Sequence, residues 1–339
     1  MKTHSVQVAV IGCGYWGKNL VRNFAQLGAL ACICDSNQSA LEEQGRLYPD
    51  ARLTGDFESV LRDESIRALV IAAPAVQHYD LVKRTILAGK DVFVEKPLAL
   101  RFVEGRELVE LAAAKDAILS VGHILEYHPA ITLLKDLIAQ GQLGRILYVY
   151  SNRLNLGKVR QEENILWSFA PHDISVICRL IGQEPTVVSA SGGSFLQPGI
   201  ADVTVTNLGF EDDVKAHIFV SWLHPFKEQK LVVVGDSKMA VFDDTAREGK
   251  LKIFDKGIEW RAGLPVPRQT SETTLFLEEA EPLKIECQHF LDCVANRTQP
   301  LTDGPSALRV LKVLEAGHRS LDNGGLPVYL RDLETEGAA

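Results

Sequence analysis

Residues 6–18 read VQVAVIGCGYWGK, an apolar strand that runs directly into three glycines spaced as G-x-G-x-x-G. Gly12 allows a tight turn, Gly14 lets backbone amides approach a pyrophosphate, and Gly17 lets the following helix pack against the strand. The N-terminus of that helix offers unpaired N–H groups and a partial positive charge to phosphate oxygens. The stretch therefore predicts a dinucleotide-binding strand, turn and helix, although glycines in this spacing also occur in ordinary turns.

A second apolar strand, residues 29–34, ends in Asp35. An acid about 20 residues beyond the glycines accepts hydrogen bonds from the adenosine ribose hydroxyls in dinucleotide-binding folds. Ser36 follows, and no arginine stands in the next few positions, where NADP-binding proteins normally recruit one for the 2′-phosphate. The pattern favours NAD as the cofactor. The alternative is that Asp35 only caps the next helix.

Length and composition exclude several classes of protein. A chain of 339 residues is too long for one ordinary core and predicts two domains. A formal net charge of −8 predicts neither a nucleic-acid nor an anionic-membrane partner, and no apolar run approaches the length of a membrane span. The chain enters its first strand at once, which leaves no room for a signal peptide, and its six cysteines lack metal-site spacing. These features predict a cytoplasmic protein without a metal site.

The order of predicted elements divides the chain at residue 122. Residues 1–122 alternate near-continuous apolar strands with helices, which indicates a parallel sheet covered on both faces. Residues 123–339 contain runs with period-2 alternation and β-branched residues, typical of a large, mostly antiparallel open sheet in an α+β domain. The prediction is a Rossmann domain followed by a substrate-binding and oligomerisation domain, whose C-terminal helices are candidates for packing back on the first domain.

Two local predictions in the second domain concern its helices and loops. A helix is expected over about residues 172–180, between two strands. Residues 261–271 contain Pro265 and Pro267, which favours an irregular loop there.

Polar residues follow three strands of the predicted parallel sheet, at the carboxyl ends where open α/β sheets bind their ligands. The three sequences are Ala73-Pro74 with His78, Glu95-Lys96-Pro97, and Gly122-His123. An ammonium placed between an apolar strand end and a proline-fixed loop can hydrogen-bond a substrate hydroxyl and help to release its proton. Lys96 is therefore the candidate catalytic residue, and the alternative is a solvated loop lysine.

The glycine turn, Asp35, the Glu95-Lys96-Pro97 sequence and the antiparallel second domain together resemble the Gfo/Idh/MocA oxidoreductase family. The resemblance implies a Rossmann domain followed by an α/β domain whose open sheet forms subunit contacts, hence a homodimer or homotetramer. It also implies that Lys96 reaches the substrate beside the nicotinamide. The family's D-x-x-x-H sequence matches residues 168–172, so that His172 fits the catalytic histidine. Ser168 stands where an aspartate is common, which puts in doubt how a neighbouring substrate hydroxyl is held.

Within that family, residues 151–157, 165–167 and 171–175 look most like bacterial nucleotide-sugar 3-dehydrogenases. The likeness implies oxidation of the 3-hydroxyl of UDP-N-acetylglucosamine or its uronic acid, followed by amination of the ketone by a separate PLP aminotransferase. The side chains expected to bind substrate are Lys96, Tyr127, His128, Arg153, Asn155, Trp167, His172 and Asp173. Several of these fit equally well as ordinary polar residues at strand ends.

The cofactor site predicted from the turn, the strand ends and the resemblance includes Gly12, Gly14, Tyr15, Trp16, Gly17, Asp35, Ser36, Ala73, Pro74, His78, Glu95 and Lys96. The expected reaction is reversible hydride transfer from a sugar carbinol carbon to NAD⁺. His172 is the expected general base, and Lys96 holds the same oxygen and stabilises developing negative charge. The two residues come from separate domains, and their roles are exchangeable. Two alternatives remain open, a dehydrogenase of a free polyol such as inositol and a cofactor-binding regulator without turnover.

Overall fold

The computed structural model describes residues 5–157, 159–161 and 163–336, which form two compact units. The first unit comprises the described residues up to Tyr127 together with Ala280–Leu311. The second comprises the described residues of His128–Glu279 and those from Lys312 onward. The first unit is therefore built from two separate stretches of the chain.

The first unit contains a six-stranded parallel sheet in the order β3-β2-β1-β4-β5-β6. Its strands are β1 Val8–Ile11, β2 Leu30–Cys34, β3 Arg52–Thr54, β4 Ala68–Ile71, β5 Asp91–Glu95 and β6 Leu119–Gly122. Every residue of β1 and β4 is buried, as expected of strands covered on both faces. This sheet confirms the predicted Rossmann architecture.

Five helices connect these strands, namely α1 Gly17–Gln26, α2 Gln38–Leu47, α3 Phe57–Leu61, α4 His78–Leu87 and α5 Phe102–Ala114. Side chains cap the starts of two of them, α2 and α3. The Asn37 side chain accepts hydrogen bonds from the N–H groups of Ser39 and Ala40 and so caps α2. Asp56 caps α3 in the same way, through the N–H of Glu58 at 2.9 Å.

Helix α8, Pro282–Asn296, closes the core of the first unit although it comes late in the chain. The Phe290 ring meets Phe93 of β5 edge to face, with 5.6 Å between ring centroids, and both side chains are fully buried. At the start of α8, the Glu281 carboxylate binds Arg22 of α1. The remaining long helix, α9 Gly304–Asp322, begins in the first unit and ends in the second.

The second unit contains a nine-stranded sheet in the order β14-β13-β12-β11-β7-β10-β9-β8-β15. Its strands are β7 Ile146–Leu154, β8 Val187–Gly193, β9 Val203–Gly209, β10 Lys215–Ser221, β11 Glu228–Gly235, β12 Met239–Asp243, β13 Leu251–Arg261, β14 Leu264–Leu275 and β15 Val328–Tyr329. Only the β7–β10 pair is parallel among these described strands, which confirms the prediction of a mostly antiparallel sheet. Three further helices belong to this unit, namely α6 Pro129–Ala139, α7 Ile165–Ile181 and α10 Leu330–Glu336.

One of the two local predictions in this unit, the loop, is wrong, and the other, the helix, is confirmed except for its start. Residues 261–271 were expected to form a loop, but β13 and β14 make a long antiparallel hairpin there. Pro265 and Pro267 are tolerated because β14 is an edge strand with β13 as its one neighbour in the sheet. A proline has no N–H group, and on an edge strand that position of the backbone can face solvent. Helix α7 begins seven residues earlier than expected, because the Asn164 side chain accepts a hydrogen bond from the Trp167 N–H and caps it.

Among the described residues, no helix combines the length and the apolar composition needed to cross a lipid bilayer.

Candidate active site

The turn between β1 and α1 has the geometry that its glycines predict. Gly12 has a φ of +91°, a conformation that L side chains rarely adopt. A Cβ atom on Gly17 would lie 2.0 Å from the Gly12 carbonyl oxygen, so only glycine fits where α1 meets β1. No described heavy atom lies within 4 Å of a Cβ built on Gly14, which is exposed. The turn therefore leaves space beside its backbone at Gly14, where a pyrophosphate would lie against the helix N-terminus.

Asp35, at the end of β2, is oriented by main-chain donors. Its carboxylate accepts hydrogen bonds from the Cys13 N–H at 2.7 Å and from the Asn37 N–H at 2.8 Å. The residue therefore contacts the glycine turn directly, and the cap of α2 is Asn37. Each carboxylate oxygen retains a second lone pair for a ribose hydroxyl. Ser36, the neighbouring predicted contact, is exposed.

Trp16 connects the glycine turn to the end of β5. Its indole Nε1 donates a hydrogen bond of 2.5 Å to Oε1 of Glu95. Tyr15, the other aromatic residue of the turn, is 83% exposed. The two predicted cofactor elements, the turn and the Glu95-Lys96-Pro97 sequence, are thus joined by one side-chain hydrogen bond.

Lys96 directly follows β5, and its peptide bond to Pro97 is cis. Burial raises the pKa of the Glu95 carboxyl from its ordinary value of 4.5 to about 7, against the opposing effects of Trp16 and Lys96. Burial, reinforced by the Lys96 charge, lowers the pKa of the His123 imidazole to about 3, which keeps that ring neutral. Lys96 is therefore a cation placed beside a titratable acid and a neutral histidine.

Ala73 and Pro74 follow β4, the strand next to β5. His78, at the start of α4, is only 1% exposed. Its Nδ1 lies 2.6 Å from the Pro97 carbonyl oxygen and its Nε2 lies 2.9 Å from the Ala73 carbonyl oxygen. This geometry favours a structural role for His78 over the predicted contact with the cofactor.

In the second unit, the structure brings Arg153 of β7 and Asp173 of α7 together. The guanidinium donates two hydrogen bonds to the carboxylate, of 2.7 Å from Nε and 3.1 Å from Nη2, and Ser151 donates a third of 2.5 Å. Asp173 is 2% exposed. A buried, bidentate pair of this kind fixes α7 against β7. His172, the residue before Asp173, is partly exposed.

The other predicted substrate residues are spread over both units. Tyr127, in the first, is buried with its hydroxyl 3.3 Å from the Thr302 hydroxyl. His128, in the second, accepts a hydrogen bond from the Ala130 N–H and so caps α6. Trp167 is buried in the first turn of α7, and Asn155 is partly exposed just after β7. Tyr127 and His128 thus form hydrogen bonds within the protein. Their contacts with substrate stay predictions.

Two family models match this chain. The NAD-binding Rossmann model of the Gfo/Idh/MocA oxidoreductase family matches residues 6–123, and the C-terminal domain model of the same family matches residues 131–241. The chain belongs to the Gfo/Idh/MocA family. The predicted resemblance is thereby confirmed.

Two curated relatives of this Gfo/Idh/MocA protein match along nearly its whole length. It is 28% identical to scyllo-inositol 2-dehydrogenase (NAD(+)) of Bacillus subtilis, over 96% of this chain and 97% of that protein. It is 24% identical to UDP-N-acetylglucosamine 3-dehydrogenase of Acidithiobacillus ferrooxidans, over 90% of this chain and 94% of that protein.

Two solved structures share the fold of this chain. A structure of the Acidithiobacillus ferrooxidans UDP-N-acetylglucosamine 3-dehydrogenase has a TM-score of 0.83 at 23% identity, covering 94% of this chain and 98% of that one. An oxidoreductase from Agrobacterium radiobacter, in complex with NAD⁺, L-tartaric acid and magnesium, has a TM-score of 0.81 at 19% identity, covering 97% and 99%. The Gfo/Idh/MocA protein described here is an NAD-dependent oxidoreductase, as the glycine turn and Asp35 predict.

One buried acid near Glu95 escaped the sequence analysis. Glu286 of α8 is 1% exposed, and neither of its carboxylate oxygens has a hydrogen-bond partner among the described residues. Burial raises its pKa well above the usual range, and the neighbouring acids Glu95 and Glu126 raise it further. A signal for this burial exists in the sequence, because residue 286 lies at helical spacing from the apolar Leu283 and Phe290.

We expect the Glu286→Gln variant to be as stable as the wild type at about pH 4 and more stable at about pH 8. The raised pKa means that the folded state holds the Glu286 proton more tightly than the unfolded state does. The stability from this group is therefore full below its ordinary pKa and is lost as the pH rises towards the folded-state value. The glutamine cannot ionise, so its advantage should grow with pH in thermal unfolding measured across a pH series.

Glu281 provides the matched control on the same helix. The Arg22 hydrogen bond lowers its pKa, so this acid stabilises the fold above its ordinary pKa and loses that effect on acidification. Glu281→Gln should therefore lose a little stability at neutral pH, about 1 kcal/mol or less for a partly exposed pair. A Glu286→Gln variant that followed the same trend as Glu281→Gln would contradict the assignment of a buried neutral acid.

The Asp35→Ala variant should bind NAD about tenfold more weakly or worse, because an acceptor for ribose hydroxyls and a partner of the turn are both lost. Adding Ser36→Arg should shift the preference towards NADP, since a guanidinium can pair with the 2′-phosphate. Calorimetric titration with each cofactor measures both effects. Asp56→Ala, which removes a helix cap two strands away from the turn, is the control and should leave NAD affinity unchanged. Equal NAD affinity in wild type and Asp35→Ala would show that the acid does not bind ribose.

Proposed function

We propose that this enzyme oxidises the 3-hydroxyl of a UDP-linked N-acetylated sugar, UDP-N-acetylglucosamine in the first instance, to the 3-keto sugar with NAD⁺. The observation that carries the proposal is the position of Lys96. It follows β5 directly, and the preceding residue, Glu95, is hydrogen-bonded to Trp16 of the dinucleotide turn. Lys96 is thus adjacent in sequence to a side chain that contacts the turn, and an ammonium is suited to holding a substrate alcohol oxygen.

NAD⁺, when bound, supplies the hydride acceptor, and the chain supplies orientation and proton transfer. Lys96 donates a hydrogen bond to the reacting hydroxyl oxygen and stabilises the negative charge that develops there. His172 accepts the hydroxyl proton, a role suited to an imidazole near neutral pH. In the reverse direction the same imidazolium returns the proton to the carbonyl oxygen. The convergence of Lys96 and His172 on one oxygen is part of this proposal.

The second unit supports a phosphorylated substrate through Arg153. Its guanidinium has five N–H donors, and the Asp173 carboxylate engages Nε and Nη2. Nη1 is the nitrogen that we assign to a phosphate or carboxylate oxygen of the substrate. Full-length similarity to the Acidithiobacillus ferrooxidans enzyme supports a nucleotide sugar as that substrate.

The second candidate function is the oxidation of a free polyol. It is favoured by the Bacillus subtilis scyllo-inositol 2-dehydrogenase, which is 28% identical and matches over almost the entire chain. The same Lys96 and His172 would serve an inositol hydroxyl, and Arg153 would then have no phosphate to bind.

The deciding experiment presents UDP-N-acetylglucosamine, its uronic acid, scyllo-inositol and myo-inositol separately with NAD⁺, and follows NADH absorbance. We expect turnover with a UDP-linked sugar. Substrate carrying deuterium at C3 should react more slowly and place the label in NADH, whereas deuterium at C4 should do neither. Turnover with inositols alone would replace the proposal by its alternative, and label transfer from C4 would contradict oxidation at C3.

A 3-keto sugar is a substrate for reductive amination, and we propose that a PLP aminotransferase acts next. Because the oxidation is reversible, adding such an enzyme with an amino donor should raise the yield of NADH in the same assay.

A further inference from the structure

The strongest unexplained feature of the first unit is the imidazole of His78. The ring is buried, and its two nitrogens face two different main-chain carbonyl oxygens. The Ala73 oxygen belongs to the segment after β4, and the Pro97 oxygen belongs to the segment after β5. One side chain therefore joins the two strand ends. The end of β5 carries Lys96, the predicted substrate lysine, and the end of β4 carries Ala73 and Pro74, which belong to the predicted cofactor site.

Both bonds require donation from the ring, because a carbonyl oxygen only accepts. A neutral imidazole carries one N–H and can satisfy one carbonyl, whereas an imidazolium carries two and can satisfy both. The distances of 2.6 Å and 2.9 Å are those of formed hydrogen bonds. The link between the two strand ends therefore depends on the N–H donors of His78, and a ring of the same volume without donors could not form it.

Both strand ends have an anchor besides His78. After β4, the Ala72 N–H donates to the Ile11 carbonyl oxygen at 2.8 Å, and at the end of β5 the Glu95 carboxylate accepts the Trp16 indole N–H at 2.5 Å. The His78 bond falls on Pro97, the residue immediately after Lys96. Loss of the ring donors should therefore act directly on the backbone that carries the ammonium.

We propose that His78 is a positioning residue for Lys96. It holds the Lys96–Pro97 backbone at the end of β4, so that the ammonium meets the substrate oxygen at the required distance. The inference rests on the proposed dehydrogenase function, and it replaces direct cofactor contact as the role of His78. Displacement of a reacting group by about 1 Å lowers the rate on the order of 100-fold. A hydrogen bond that fixes the backbone beside Lys96 can therefore have a large effect on kcat.

The test compares His78→Phe with His78→Gln. Phenylalanine fills the ring volume without donors, and the glutamine amide carries two N–H donors on one nitrogen. We expect His78→Phe to lower kcat by about 10-fold to 100-fold with little change in KM or in NAD affinity. His78→Gln should recover much of that loss. The control is Tyr79→Phe, which removes a surface hydrogen bond to Glu107 from the next residue of α4 and should leave kcat unchanged.

Several results would overturn the proposal. One is a His78→Phe enzyme with wild-type kcat. Another is a variant with weakened NAD binding and intact kcat, which would make His78 a cofactor contact. A His78→Gln enzyme as slow as His78→Phe would show that the donors do not matter.

A readout independent of turnover separates this proposal from the proposed function. If the wild type oxidises none of the four candidate substrates, crystal structures of wild type and His78→Phe still decide the matter. A displaced Lys96–Pro97 segment in the variant supports positioning by His78, and an unmoved segment overturns it.

Discussion

Replacing Lys96 by methionine is expected to lower kcat by about three orders of magnitude while NAD affinity stays close to the wild-type value. Methionine keeps an unbranched side chain of similar reach but can neither donate a hydrogen bond nor carry charge. The loss should fall on kcat because the ammonium acts most strongly on the negative charge of the transition state. Steady-state kinetics with the accepted sugar, together with calorimetric NAD titration, measure the two quantities.

The matched control is Lys83→Met. Lys83 lies on α4 of the same unit and pairs with Glu107 at 2.6 Å on the surface. Its removal tests whether the loss of any lysine from this unit slows the enzyme, and kcat should not change. A Lys96→Met enzyme that kept more than about a tenth of wild-type kcat would remove Lys96 from the mechanism, since even one charge-stabilising donor is worth more than that.

The Gly17→Ala variant should lose about 3 kcal/mol of stability or fail to fold. The added Cβ would meet the Gly12 carbonyl oxygen at 2.0 Å and its carbon at 2.9 Å, both of them backbone atoms. The Gly12 backbone cannot easily move aside, because it is already packed closely against Ala72. A Cβ atom built on Gly12 would lie 2.8 Å from the Ala72 carbonyl oxygen. The first turn of α1 would have to move away from β1, and thermal unfolding would report the loss.

The Gly14→Ala variant tests whether the glycine at position 14 is needed for NAD binding or for the stability of the fold. The new methyl group would meet no described atom within 4 Å, so stability should stay within about 0.5 kcal/mol of wild type. The methyl group would instead stand where the pyrophosphate approaches the backbone, and NAD affinity should fall. Equal loss of stability in both variants, or unchanged NAD affinity in Gly14→Ala, would contradict this account of the turn.

The glycine turn could be predicted because its tightest constraint is local. A Cβ atom on Gly17 would meet the carbonyl oxygen of Gly12, which precedes it by five residues. Asp35 could be predicted because a recurrent fold sets its spacing from the glycines, although its partner Cys13 lies 22 residues away. The position of Lys96 was predictable for a similar reason, since parallel strands present their carboxyl ends at one edge of the sheet.

Features that depend on distant parts of the chain were not predictable in the same way. The proline-containing strand β14 looks like a loop until its place at the edge of the sheet is known. The burial of Glu286 depends on where α8 packs, and the task of His78 depends on a carbonyl oxygen 19 residues away. The sequence analysis assigned His78 to the correct strand end, but it predicted a cofactor contact where the structure shows the Ala73 and Pro97 carbonyl oxygens.

The late position of α8 bears on how the chain reaches its native state in the cell. Phe93 is synthesised long before Phe290, the ring that covers it, so the nucleotide-binding unit cannot complete its interior until residue 290 has left the ribosome. Until then the growing chain carries an uncovered aromatic surface. We therefore expect a fragment cut after the sixth strand to be recovered in poor yield, because it lacks the helix that covers Phe93.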